Sequence, residues 1–488
     1  MASHSDDRAY IPASTSDDRE GPVSPSKEKD HAEGTEAALP SLNVFQLVGI
    51  TYFSAAGGPF GFEEAIGSGG GSAALLGLVF LPFFWSIPLA LMTAEFATMM
   101  PEAGGHIIWV DKALGPYFGT LNAAFSAFTN AFDNALYPVM FVDYLEEALF
   151  AYMKKDFSDA WDVGLRVAVI VLCVILNIKG ADLVGDASML FGVLVLSPFI
   201  VMTFMGLGPA LDDLDGLPGA VVDTEKNDYR WGAFAAVMLW NTSGFDNAGT
   251  CAAEVANPGK TYPRALAISV VLVMASYALP TLVGIYYIPD MDEWEDGVFV
   301  DVGEEVAGPW LRNWLGLAGV VSSLGLMCTL LCTASRMLEG MAHTGALPPI
   351  FGKLHPKYGT PWVSIVITGV TTLALSVLPF SALAEADMLF YNLSNILKFV
   401  ALVKFRVTHP EMARPYKVPL NTLGMALYFS LPCLLCGASI FLFSWSSIIA
   451  GVAVTMLVSL IYWLKGGNDV GLKKKEHGSE ISLVDHSS

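Results

Sequence analysis

Charged residues are scarce in this chain of 488 residues: Asp, Glu, Lys and Arg make up 15% of it, against about 25% in soluble domains. Hydrophobic residues make up 53%. A soluble enzyme of this length would alternate apolar and polar faces over two or three domains, whereas this chain is one long series of apolar segments. The sequence therefore predicts an all-α polytopic membrane protein.

Motifs of catalysis, nucleotide hydrolysis and metal binding are also missing. There is no Walker A loop, no HExxH, no G-x-S-x-G and no histidine cluster with metal-ligand spacing. All six cysteines fall within apolar segments, and Cys433-x-x-Cys436 has no histidine nearby. The sequence thus predicts no enzyme, no cofactor, no metal and no nucleic-acid partner.

About twelve apolar segments, each near the 20 residues that a transmembrane helix needs, lie between residues 42 and 464. Residues 1–40 are polar, with few aromatic residues, and predict a disordered tail. The predicted organisation is this tail, a membrane domain over 41–464 and a second tail over 465–488.

Basic residues set the expected orientation. With the N-terminus in the cytoplasm, nineteen of the 26 Lys and Arg residues fall on the cytoplasmic side and six on the other, with Lys398 alone inside a span. This asymmetry predicts cytoplasmic N- and C-termini in a multi-pass protein, which we place in the plasma membrane. The opposite loops are acidic, which either attracts cations or serves solubility.

Two apolar segments are interrupted by residues that disfavour a helix. The first contains Gly57, Gly58 and Gly61 around Pro59, and the second runs from Asn241 through Ser243 to Gly249. They open two successive halves of five helices, and matching interruptions of this kind predict a substrate site at mid-membrane. Simple Gly/Pro kinks are the alternative.

Carboxylates inside apolar spans are the second signal, since such groups usually face a cavity, a partner or an ion path. Glu63 and Asp246 lie at the two interruptions, and Asp133 lies deep in the third span. Glu95 and Asp186 lie near cytoplasmic ends, with Lys398 and Arg336 as candidate partners.

The first interruption favours a cationic ligand. Pro59 removes one backbone N–H that could hold a carboxylate, and Glu63 and Glu64 put negative charge at the start of the next helix. Pro and Glu are also common at the start of any helix, so the alternative is that these residues only begin the helix and do not select a ligand. Aromatic rings nearby could stack on an organic cation or simply pack; they include Tyr137, Trp240, Phe245 and Tyr391.

Several strings resemble the polyamine uptake transporters of plants and protists, a branch related to the L-type amino acid transporters within the amino acid–polyamine–organocation superfamily. In order along residues 42–464, they are Gly57-Gly-Pro-Phe-Gly61, Thr93-Ala-Glu-Phe-Ala-Thr-Met-Met-Pro-Glu-Ala-Gly-Gly105, Asp133-Asn-Ala-Leu-Tyr-Pro138, Ala253-Glu-Val-Ala-Asn-Pro258 and Arg414-Pro-Tyr-Lys-Val-Pro419.

The resemblance implies a LeuT-like 5+5 inverted repeat with helices 1 and 6 broken, and uptake of putrescine or spermidine coupled to protons. Residues of the family pattern match at Glu63, Asp133, Tyr137, Trp240, Asn241 and Asp246. Two positions depart from it. Gly244 lies where the plant transporters tend to have a bulky aromatic residue, and Lys398 lies where they tend to have a glutamate. A lysine at that position would either take the place of a bound cation or repel an ammonium group of the substrate.

The sequence thus predicts a secondary polyamine transporter that works by alternating access in the lipid membrane, with the proton as coupling ion. The predicted substrate-binding residues are Gly57, Gly58, Gly61, Glu63, Asp133, Tyr137, Trp240, Asn241, Ser243, Phe245, Asp246 and Tyr391. Two alternatives stay open: a transporter of cationic or neutral amino acids on the same fold, and an amine sensor with little transport of its own.

Overall fold

The computed structural model describes residues 42–101, 105–153, 158–179, 182–212, 229–343 and 347–464. The predicted tails, 1–40 and 465–488, lie outside the described residues. Within the described ranges the chain is helical and has no β-strand, apart from one isolated bridge between Leu42 and Val255. The predicted all-α class is confirmed.

Sixteen α-helices lie in the described ranges and are numbered in chain order. They are α1 (Val44–Ala55), α2 (Glu63–Gly69), α3 (Gly71–Phe84), α4 (Ser86–Met99), α5 (Gly105–Leu114), α6 (Pro116–Met153), α7 (Asp159–Lys179), α8 (Asp182–Asp212), α9 (Trp231–Asn241), α10 (Pro258–Tyr287), α11 (Val298–Ala307), α12 (Pro309–His343), α13 (Trp362–Leu375), α14 (Phe380–Thr408), α15 (Thr422–Leu442) and α16 (Trp445–Leu464). Short 3₁₀ segments lie at Phe245–Glu254, Met291–Glu293 and Pro349–Gly352.

Eight helical stretches in the described part of the chain are long and apolar enough to cross a membrane. Seven of them belong to α7, α8, α10, α12, α14, α15 and α16, and the eighth is Gly71–Met99, where α3 and α4 meet at Trp85. Large apolar side chains on these helices are strongly exposed, for example Phe204 and Phe441. Such surfaces are expected against lipid, so the chain is a multi-pass membrane protein.

The remaining apolar segments are those with interruptions, polar residues or short helices. They coincide with α1–α2, α6, α9 with its 3₁₀ continuation, and α13. The helix α6 is long but carries Asp133, Asn134 and Pro138 within it. In the two interrupted segments no single helix is long enough to cross a membrane, because the backbone leaves the helix halfway.

The helix α6 lies at the centre of the fold and packs most extensively against α12 and α14. Residues 288–308, which include α11, pack on the end of α6, where Gly297 lies beside Glu147. We call the face that carries these residues the loop side. Arg312 connects α6, α11 and α12 on the loop side, because it forms salt bridges with Glu147, Asp301 and Glu304.

A buried ion cluster closes the opposite face. The Glu95 carboxylate on α4 accepts hydrogen bonds from the Arg406 guanidinium on α14, with Nε at 2.9 Å, and from the backbone N–H of Val418 at 2.9 Å. Arg414 lies 3.4 Å away. The sequence-based pairing of Glu95 with Lys398 or Arg336 is therefore wrong, and the side chain of Asp186 lies outside the described residues.

Replacing Glu95 by Gln should destabilise the protein without touching the candidate site. The buried Arg406 would lose its anionic partner, and hydrogen bonds to charged groups contribute about 1.5–3 kcal/mol each. We expect a lower thermal midpoint of the detergent-purified protein. An unchanged midpoint would show that the cluster does not hold α4 to α14.

Candidate functional site

Both predicted interruptions are places where the backbone leaves the helix. α1 ends at Ala55 and α2 begins at Glu63, with Gly57, Gly58 and the rest of 56–62 non-helical. α9 ends at Asn241, and a 3₁₀ segment begins at Phe245. Gly61 and Gly244 have φ of +78° and +84°, a region that residues with a side chain rarely adopt.

The two interruptions lie against each other. Asn241 donates through Nδ2 to the Gly61 carbonyl at 3.3 Å, and a Cβ on Gly244 would collide with the backbone of Ser54 and Ala55. Ser322 on α12 donates to the Gly57 carbonyl at 2.7 Å, and Gly58 faces Val195 on α8. Two non-helical segments are thereby fixed side by side next to α6.

Asp133 faces this junction from the middle of α6. Its Oδ1 accepts hydrogen bonds from Trp240 Nε1 at 3.0 Å and from the Tyr137 hydroxyl at 3.2 Å. The Trp240 ring also packs edge-on against Phe380, and Gly61 lies directly against the Trp240 ring. Among the described residues no Lys, Arg or His forms an ion pair with Asp133, so its carboxylate is oriented but not neutralised.

Asp387 on α14 is a second carboxylate at this place, and the sequence analysis missed it. Its side chain is 1% exposed, and Oδ1 has no hydrogen-bond partner. It lies close enough to Asp133 for the two charges to repel each other. The signal was the spacing: Asp387, Tyr391, Asn395 and Lys398 recur at helical intervals and so share one face of α14.

Asp246 belongs to a different cluster. Lys398 Nζ lies 2.6 Å from Asp246 Oδ2, and the Tyr391 hydroxyl donates to Oδ1 at 2.6 Å. Lys398 and Asp246 are each 1% exposed. Both oxygens of Asp246 are therefore bonded to groups of the protein. The sequence predicted that Lys398 would pair with Glu95 or Asp186, but in the structure it pairs with Asp246.

Glu63 opens α2 and is fully buried. Its Oε1 accepts from the Tyr144 hydroxyl at 2.8 Å, and that hydroxyl accepts from the Gly61 N–H at 2.9 Å. Its Oε2 has no hydrogen-bond partner. The neighbouring Glu64 is instead paired with Arg230 at 3.0 Å.

The other predicted site residues have structural contacts. Ser243 donates to the Leu239 carbonyl and accepts from Trp85 Nε1 at 2.9 Å, while Phe245 is 0% exposed. The structure thus brings Gly61, Asp133, Tyr137, Trp240 and Asn241 together. It places Asp246 and Tyr391 with Lys398, and it gives Phe245 no surface for a ligand in this conformation.

The loop side carries an acidic depression. A cavity of about 450 Å³ is lined there by five carboxylates: Asp290, Glu293, Asp301, Glu304 and Glu305. Acidic walls raise the local concentration of cations. No group of three His, Cys, Asp or Glu side chains within the described ranges is placed to hold a metal ion.

Comparison with known proteins gives the family context. The model of the amino acid permease family matches residues 42–459. A probable polyamine transporter of Arabidopsis thaliana is 36% identical over 449 residues, which covers 92% of this chain and 87% of the relative. The polyamine transporter PUT1 of Oryza sativa subsp. japonica is 37% identical, covering 79% and 70%.

A more distant bacterial relative also carries the name of an amine transporter. The probable agmatine/putrescine antiporter AguD of Lactococcus lactis is 23% identical, over 72% of this chain and 79% of the relative. These relatives are transporters by name, and each of them matches more than 70% of this chain.

Proposed function

Because this chain belongs to the amino acid permease family and is a transporter rather than an enzyme, we propose that it carries polyamines of the putrescine and spermidine class across a membrane by alternating access. The names of its relatives support this substrate class. The observation that carries the proposal is the Asp133 carboxylate, which is oriented by Trp240 and Tyr137 and has no basic partner among the described residues.

An ammonium group suits this carboxylate better than an amino acid does. An amino-acid carboxylate is usually held by free backbone N–H groups at a helix break. Here the Gly61 N–H is bonded to Tyr144 and the Gly244 N–H to Tyr391. Glu63 and Asp387 add further negative charge, which would repel a carboxylate ligand and attract a polycation.

The ring of Trp240 gives the site an apolar wall. Its indole N–H is directed at Asp133, so the ring is held beside the carboxylate. Phe380 and Tyr137 flank the ring, with centroids 5.6 and 6.3 Å away. An ammonium bound at Asp133 would lie within reach of these rings, and such contacts contribute about 0.5–2 kcal/mol each.

The proposed architecture has twelve spans in two inverted halves of five plus two more. The eight apolar stretches supply eight of the spans, and α1–α2, α6, α9 with its 3₁₀ segment, and α13 supply the others. In this arrangement the termini lie in the cytoplasm, the loop side faces outward in the plasma membrane, and Asp133 lies near the midplane. Rocking of the two interrupted helices would then expose the site alternately to each side.

Uptake into proteoliposomes tests this function. We expect saturable uptake of radiolabelled putrescine that excess spermidine blocks, excess arginine and leucine leave unchanged, and an inward proton gradient stimulates. Protein-free liposomes are the control. Competition by arginine or leucine with little putrescine entry would replace the proposal by amino acid transport, and binding of amines without uptake would indicate a sensor. Uptake that does not depend on the proton gradient would contradict proton coupling but not polyamine transport.

A further inference from the structure

A second pair of carboxylates lies on the loop side of the candidate site. Glu63 at the start of α2 and Asp296 in the connection before α11 approach each other closely enough for mutual repulsion. The backbone of Gly297, which follows Asp296, lies against the Glu63 carboxyl group. Trp294 anchors this stretch, because its carbonyl packs directly on Gly67 of α2.

This pair has unused hydrogen-bonding capacity. Glu63 is 0% exposed, yet its Oε2 has no partner, and the buried Oδ1 of Asp296 has none either. No Lys, Arg or His within the described ranges forms an ion pair with either side chain. Burial and repulsion from Glu63 raise the pKa of Asp296 well above its usual range. Two buried carboxylates side by side without a cation are costly, so the empty pair retains a proton, and a bound ammonium would supply the positive charge in place of that proton.

The geometry of α6 gives an approximate spacing between this pair and Asp133. Tyr144, which donates to Glu63, follows Asp133 by eleven residues on α6, and this corresponds to about 16 Å along the helix axis. Side chains on a helix lean toward its N-terminus, and because the Tyr144 side chain is much longer than that of Asp133, its hydroxyl lies closer to the Asp133 carboxylate than this axial distance.

We propose that Glu63 and Asp296 form a second ammonium subsite, which holds the far amine of a long polyamine whose near amine lies between Asp133 and Asp387. This inference rests on the proposed transport of polyamines and adds a preference for length. The central pair has the same signature, since Asp387 is 1% exposed with an unpartnered Oδ1.

Chain length decides which amines reach both subsites. An extended chain advances about 1.2 Å per bond, so the terminal nitrogens lie about 6 Å apart in putrescine, about 11 Å in spermidine and about 16 Å in spermine. Putrescine is too short to span the two pairs. The lengths of spermidine and spermine lie on either side of the separation between the two pairs of carboxylates. Only these two amines can therefore form the second ion pair.

Uptake competition with amines of three lengths tests the subsite. We expect Asp296→Asn to raise the apparent KM for spermine and spermidine at least tenfold and to change that for putrescine less than twofold. Glu63→Gln keeps an oxygen for the Tyr144 hydrogen bond and should raise the apparent KM for spermine and spermidine by at least the same factor. Glu295→Gln removes the exposed neighbouring acid and should leave all three amines unchanged.

The outcomes separate this inference from the transport proposal. An equal loss for all three amines in both variants, or no loss for any of them, would overturn the subsite. Wild-type protein that moves none of the amines would instead overturn the function on which it rests. Putrescine uptake measured in the same preparation shows whether each variant is folded, and the thermal midpoint gives a second measure.

Discussion

Asp133→Asn abolishes saturable putrescine uptake while the amount of protein in the membrane stays the same. The amide keeps an oxygen for Trp240 and Tyr137, so the local structure is retained, but it carries no charge for an ammonium. Removing one partner of a buried, hydrogen-bonded charge pair costs about 2–5 kcal/mol, which corresponds to a loss of affinity of at least about 30-fold. The measurement is the concentration dependence of uptake in proteoliposomes.

Asp159→Asn is the matched control for this variant, because Asp159 is an exposed carboxylate at the start of α7, away from the interruptions. It should have wild-type kinetics. Wild-type kinetics in Asp133→Asn would remove this carboxylate from the substrate site, and a loss of uptake in both variants would mean that the effect is not specific to the site.

Lys398→Met strongly destabilises the protein, since it leaves the Asp246 carboxylate buried without its cation. Breaking a buried ion pair from one side costs about 3–5 kcal/mol. We expect a large drop in the thermal midpoint of purified protein and a corresponding loss of folded transporter in the membrane. Tyr391 still donates to Asp246, but a neutral donor does not replace the charge.

The double variant Lys398→Met with Asp246→Asn distinguishes a lost charge partner from a poorly packed methionine. Removing both charges avoids the unpaired carboxylate, so the midpoint should recover most of the loss. A single variant as stable as the wild type would mean that the pair contributes nothing to the fold. A double variant as unstable as the single one would mean that packing, and not charge, is responsible.

Some of the site could be predicted because it depends on local sequence. Glycine and proline disfavour a helix wherever they cluster, so the interruptions at 56–62 and after Asn241 were predictable from those residues alone. Asp133 could be identified because a carboxylate in the middle of an apolar span is unusual. Neither inference required knowledge of which helices are neighbours.

The partners of the charged residues could not be predicted in this way. Lys398 was expected to pair with Glu95 or Asp186, but the packing of α14 brings it to Asp246 and brings Arg406 to Glu95. Which charges meet depends on helix packing and on rotation about each axis, and these are tertiary properties. Asp387 was missed because an acid in the first turns of a predicted span is usually taken to be solvated.

Equilibrium binding of radiolabelled putrescine to the purified protein, compared between the wild type and Asp133→Asn, tests the central claim most directly. The account predicts saturable binding to the wild type that spermidine displaces and arginine does not, together with at least about 30-fold weaker binding to a folded Asp133→Asn. Equal binding by the two proteins, or displacement by arginine rather than spermidine, would contradict it.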